Sequence, residues 1–139
     1  MVNRSVKSAI IPFGFDWSGF NYIEREEKDE VFKLCFLGNA DKFRIDFLEQ
    51  IAQKGVKIDV YGENWSDCKL HENISTFGPK YGVEFWQTLQ KYAIQLNLLR
   101  PHNLYSHNMR SFDVPGSGGV MLAPRTPDHL TYFTECSEV

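Results

Sequence analysis

Residues 97–121, NLLRPHNLYSHNMRSFDVPGSGGVM, decide how this chain is read. They begin inside an apolar run, 93–99, which reads as a buried strand. A polar loop follows with Arg100, His102 and His107, and then a short helix carrying Arg110 and Asp113. Pro115, Gly116, Gly118 and Gly119 break that helix, and a second strand, 120–123, closes the unit. In an open parallel sheet, a loop placed after a strand in this way lies at the carboxyl end, where ligands bind. Its cationic and hydrogen-bonding side chains suit an anionic, hydroxyl-rich ligand.

The same alternation runs outward from this stretch. Residues 31–37 (VFKLCFL) form a strand apolar on both faces, as parallel strands are, ended by Gly38-Asn39. Residues 40–54 read as an amphipathic helix through Phe43, Phe47, Leu48 and Ile51, stopped by Gly55. Strands follow at 56–61 and 74–77, ended by Gly62 and Gly78, with Trp65 conspicuous in the polar loop between them. A second helix spans 81–92, and a last helical segment spans 126–133 with Pro127 in its first turn. Strands alternating with helices predict an α/β domain with a parallel sheet and right-handed crossovers. Residues 1–30 lack a clean period but hold many aromatics, which predicts an extended segment packed along a domain of residues 31–139. Residues 136–139 read as the start of a sixth strand, so the chain is expected to be truncated, with a sheet edge at which two copies could pair.

The chain has 139 residues, 42% hydrophobic and 14% aromatic, enough for a single cored domain. Its net charge of −3 argues against nucleic-acid binding through a basic face. Three scattered cysteines, Cys35, Cys68 and Cys136, are no disulfide framework and point to a reducing compartment, the cytoplasm. Cys68 and His71 have ligand-like spacing but no second pair, so no metal site is expected. No stretch reads as a signal peptide or membrane span.

In a doubly wound sheet of order 3-2-1-4-5 the switch point falls between the first and fourth strands. The site is then expected from Gly38, Asn39 and Arg44 on one side and residues 100–113 on the other. Ser106 or Asn108 would cap the helix bearing Arg110. Arginine forks suit phosphate oxygens, and the short Asp113 carboxylate suits a ribose diol. Structural readings stand beside these: an i, i+3 ion pair for Arg110 and Asp113, a solvated helix residue for Arg44, a backbone-bonded loop histidine for His107. His102 is read as a loop residue. Other machinery is missing. There is no GxGxxG, no GxxxxGK[ST] and no GxSxG, and His102 and His107 are not spaced as HExxH ligands. A flavodoxin-like regulatory domain would need an acidic cluster after the first strand, which is lacking.

IPFGFDW, CFLGNADKFR, IDVYGENW, STFGPKYG and the long run IQLNLLRPHNLYSHNMRSFDVPGSGGVMLAPRTPDHLTYF together carry a resemblance. From residue 10 on, the chain resembles the C-terminal, donor-binding domain of group 1 glycosyltransferases of the GT-B fold, in the spore-maturation-protein-like branch. The resemblance implies a Rossmann-like three-layer sandwich that binds a nucleotide-diphosphate sugar. Transfer would be to a sugar or glycan acceptor held by a separate N-terminal domain, in polysaccharide biosynthesis. It also implies hexosyl transfer with retained configuration, no metal and no cofactor beyond the substrate. Gly38, Asn39 and Arg44 match the phosphate side, Gly78 the base side, and His107 and Arg110 the diphosphate. Asp113 falls where the family holds the ribose, usually with Glu. Tyr105 stands where many members carry a Glu that contacts the donor sugar. No catalytic residue is named, and the isolated domain is expected to be inactive. The rival expectation is an interaction module that keeps the half-fold and has lost donor binding.

Overall fold

The computed structural model describes residues 9, 11–16, 18, 31–134 and 137. Most of residues 1–30, and residues 136–139 apart from Ser137, lie outside the described residues. So do most of the expected N-terminal packing and the expected sixth strand.

Among the described residues ten elements follow one another. They are β1 (Val31–Leu37), α1 (Lys42–Ala52), β2 (Ile58–Tyr61), β3 (Ile74–Phe77), α2 (Gly82–Lys91), β4 (Tyr92–Leu96), a 3-10 turn (Pro101–Asn103), α3 (Arg110–Gly116), β5 (Val120–Leu122) and α4 (Pro127–Tyr132). All strand pairs are parallel, in the order β3-β2-β1-β4-β5, which makes an open Rossmann-like sheet with its switch point between β1 and β4.

Alternation along the strands splits the apolar residues into two cores. On one face Phe36, Ile58, Val60 and Leu96 pack with Leu48 and Ala52 of α1. On the other, Cys35, Leu37, Tyr61, Tyr92 and Met121 pack with Leu89 of α2 and Val114 of α3. A fully buried Leu48 or Leu89 contributes about 1.5–3 kcal/mol. A buried carboxylate interrupts the second core. Asp59 is paired with Lys33 Nζ at 3.0 Å and accepts from the Tyr92 hydroxyl at 2.6 Å, so its desolvation is offset. Burial raises the Cys35 thiol well above its ordinary pKa and keeps it inert.

Several expected boundaries shift, each for a local reason. Helix α1 begins at Lys42 because Asp41, extended in backbone, caps it by accepting from Arg44 N at 3.0 Å. Phe43 and Phe47 do not share its buried stripe; they stay 40% and 38% exposed on the flank. β2 starts at Ile58, where pairing with β1 and β3 begins, rather than at 56. β4 ends at Leu96, not 99, because its neighbour β5 ends at Leu122; Asn97 N donates the last bond to Leu122 O at 2.8 Å. Pro115 lies inside α3 rather than ending it, and the turn comes later at Gly118, whose φ of 83° suits glycine.

Candidate functional site

The loop after β4 is fixed by a buried polar network. Asn97 Nδ2 donates to Ser111 Oγ at 3.1 Å, and Asn108 Nδ2 donates to Asn97 Oδ1 at 2.9 Å. Ser111 Oγ meets His129 Nε2 at 2.9 Å, while His129 Nδ1 meets Pro124 O at 2.9 Å. Ser111 and His129 are both buried, so this Ser–His contact braces α3 against α4 rather than facing a substrate. Of the two expected caps, Asn108 serves α3, its Oδ1 accepting from Ser111 N at 3.2 Å. Ser106 instead donates to Asp128 at 3.1 Å.

At the end of β1, Gly38, Asn39 and Arg44 come together as expected, but their polar groups face protein. Trp65 Nε1 donates to Gly38 O at 2.8 Å, and Asn39 Oδ1 accepts from Glu63 N at 3.1 Å. Gly62 fits because a Cβ there would stand 2.3 Å from Gly38 O. The loops after β1 and β2 are thereby laced together. Arg44 is neither solvated nor open to a ligand through its fork. Its two terminal nitrogens donate to Asn39 O at 3.0 Å and Leu98 O at 3.1 Å, tying the ends of β1 and β4. Its guanidinium also lies 5.2 Å from the Phe36 ring centre, and its pKa is lowered by burial despite Asp41.

On the opposite face of the sheet, α3 brings Arg110 and Asp113 together. Arg110 Nη1 donates to Asp113 Oδ2 at 2.7 Å, and the guanidinium stacks 4.1 Å from the Phe85 ring centre of α2. Burial lowers the Arg110 pKa and raises that of Asp113; each partner offsets the other's shift in part. Arg110 Nε is buried and, among the described residues, has no hydrogen-bond partner. His107 is held through Nδ1 to Asp128 at 2.7 Å and lies edge-on to Phe112 and Tyr132. Its Nε2 accepts from Phe13 N at 3.4 Å, so residues 11–16 reach this edge. Phe15 continues that segment against Trp86.

Clefts open at the carboxyl edge among the described residues, and two of them bear on the expected site. One, of 380 Å³ at the ends of β2 and β3, is lined by Glu63, Asn64, Thr76, Phe77 and Gly78 among others. Among the described residues Gly78 meets nothing within 4 Å on its Cβ side, so a ligand can approach its backbone. The other, of 630 Å³ at the β1/β4 switch point, is lined by Asp41, Lys42, Phe43, Asp46, Arg100, Pro101 and His102. Arg110 and Asp113 do not line it, so the expected site divides between the two faces. Sequence reasoning missed Asp41, Lys42 and Asp46. The i, i+4 pairing of Lys42 with Asp46 and the capping position of Asp41 were the available signals. Among the described residues no group of three His, Cys, Asp or Glu is placed to hold a metal ion. Cys68 bonds to Asn64 O and His71 accepts from Asn73 N. No described helix is long and apolar enough to cross a membrane.

A family profile described as glycosyl transferase-like matches residues 44–139. That span holds Arg44, Gly78, His107, Arg110 and Asp113 and most of the parallel sheet. No curated protein and no solved structure matches the chain. A five-stranded parallel sheet whose carboxyl edge carries these residues, matched over well more than half its length, places the chain in the glycosyl transferase-like family.

Proposed function

We propose that this chain is the donor-binding half of a GT-B glycosyltransferase of the spore-maturation-protein-like branch. It takes a nucleotide-diphosphate sugar at the carboxyl edge, and a separate domain holds the acceptor glycan. The observation that carries this reading is the Arg110–Asp113 pair. The Arg110 side chain is 29% exposed and donates to Asp113 through Nη1 alone among the described residues, so its fork keeps donors that a ligand oxygen can take. A phosphate oxygen suits the guanidinium, and a ribose diol suits the Asp113 carboxylate. His107, fixed by Asp128 through Nδ1, would supply a third group only by exchanging its Nε2 contact with Phe13 N for a ligand. Gly78 leaves backbone accessible to a base.

In the transfer step these groups would stabilise the charge that grows on the departing diphosphate, without forming a covalent bond to it. Hexosyl transfer with retention, needing no metal, is the chemistry this reading carries. The test is calorimetric titration of the chain with UDP, GDP, dTDP and CDP. One of them binds, and Arg110→Ala and Asp113→Ala each weaken it at least tenfold. Equal binding of all four to both variants would remove the pair from the site.

A further inference from the structure

The Arg110 guanidinium does not rest on Asp113 alone. Helix α2 starts at Gly82, past β3, and α3 starts at Arg110, past β4, so the first turns of both helices stand at the carboxyl edge. Phe85 closes the first turn of α2 at an apolar position and packs, with Trp86, against the second core. Its ring does more than fill that core. The guanidinium carbon of Arg110 lies over the ring, 4.1 Å from its centre. We propose that Phe85 is a positioning residue of the donor site, whose ring fixes the plane of the Arg110 guanidinium and so aims its remaining N–H groups at the diphosphate. This inference rests on the donor reading and deepens it.

A guanidinium donates within its own plane, in a fixed fork. One ion pair leaves such a group free to turn about that contact. Here Nη1 is tied to Asp113 Oδ2 at 2.7 Å, and the Phe85 ring lies against the group from a second direction. Together the two contacts hold both the position and the tilt of the fork. The ring is itself held: Trp86 meets it at 4.8 Å and 66°, and Phe15 meets Trp86 at 5.5 Å and 81°. The ring also attracts the cation through its quadrupole, which offsets part of the cost of burying it. The side chain stays 29% exposed, so solvent or a ligand still reaches it. A fork held in this way loses less freedom when a phosphate oxygen binds, which strengthens binding without a new contact to the ligand. Leucine at position 85 would keep apolar bulk and lose the ring face. Tyrosine would keep the ring.

The test joins NMR of the full chain, with isotope-labelled arginine side chains, to calorimetric titration with UDP, GDP, dTDP and CDP. In the wild-type chain the ring current should set the Arg110 Hδ and Hε signals upfield of those of Arg100, whose side chain is 52% exposed. Phe85→Leu should return them to the Arg100 values and weaken the nucleoside diphosphate that binds by about fivefold or more. Phe85→Tyr should keep the upfield signals and hold affinity within about twofold of wild type. Arg110 signals that match Arg100 in the wild-type chain would overturn the proposal, and that reading needs no variant to fold. Equal affinity in wild type and Phe85→Leu, or equal weakening in Phe85→Leu and Phe85→Tyr, would overturn it too, with the donor reading intact. Upfield Arg110 signals in a wild-type chain that binds none of the four would instead sink the donor reading, and the positioning role with it.

Discussion

Arg110 and Asp113 face each other across one turn of α3, Nη1 donating to Oδ2 at 2.7 Å, while the buried Nε is left without a partner among the described residues. Burial raises the Asp113 pKa above its ordinary value, and Arg110 pulls it part of the way back. In the folded state the group therefore binds its proton more readily than in the unfolded chain. Its contribution to stability is full at low pH and is lost as pH rises through the folded midpoint. Carboxyl-carbon NMR titration should place that midpoint above 3.8, the ordinary value for Asp. Arg110→Ala should push it higher still. A midpoint below the ordinary value in the wild-type chain would contradict the burial argument.

Arg44 acts as a brace between strands. Its side chain is 11% exposed and donates to carbonyls at the ends of β1 and β4. Arg44→Ala strands both acceptors and should cost about 2–3 kcal/mol in urea unfolding. Arg44→Lys keeps the charge without the fork and should recover less than half of the loss. Full recovery by Lys would mean that charge alone matters there.

Gly62→Ala should be among the most damaging single changes at the site. The added Cβ would meet backbone, Gly38 O at 2.3 Å and Gly38 C at 2.6 Å, which cannot swing aside as a side chain can. Forcing the laced loops apart should cost about 3 kcal/mol. A melt within about 0.5 kcal/mol of wild type would show that the two loops separate freely.

Gly116→Ala tests the packing of residues 11–16. Its Cβ would stand 2.5 Å from the Phe15 ring, which can move. Phe15 should leave its place against Trp86. Faster proteolytic cleavage within 11–18 and altered tryptophan fluorescence are expected, with global stability nearly unchanged. Unaltered cleavage would show that Phe15 does not anchor the segment.

The strands were legible because VFKLCFL and its neighbours are apolar on both faces, which only a covered parallel sheet accommodates. Helix existence was legible too, but not which apolar residues of α1 face the sheet. Phe43 and Phe47 fit the period, yet they sit off the stripe of Ile45, Leu48 and Ile51. The lacing of Gly38 and Asn39 was not legible, since it depends on Trp65 folding back across 27 residues to Gly38. For Arg110 and Asp113 the i, i+3 spacing allowed an ion pair or a ligand site, and the geometry shows the pair. A cleft does open between the ends of β1 and β4. Its lining differs because Arg44 turns inward to carbonyls and leaves Lys42 and Asp46 at the surface.

The measurement that tests the central claim most directly is a thermal-shift panel with UDP, GDP, dTDP and CDP, with and without magnesium. A ligand at 100 times its Kd adds about 2.7 kcal/mol, enough for a shift of several degrees. The account predicts a shift with one diphosphate, indifferent to magnesium and lost in both Arg110→Ala and Asp113→Ala. No shift from any diphosphate on a cooperatively melting sample would contradict it, and would leave a glycosyl transferase-like fold that serves as an interaction module.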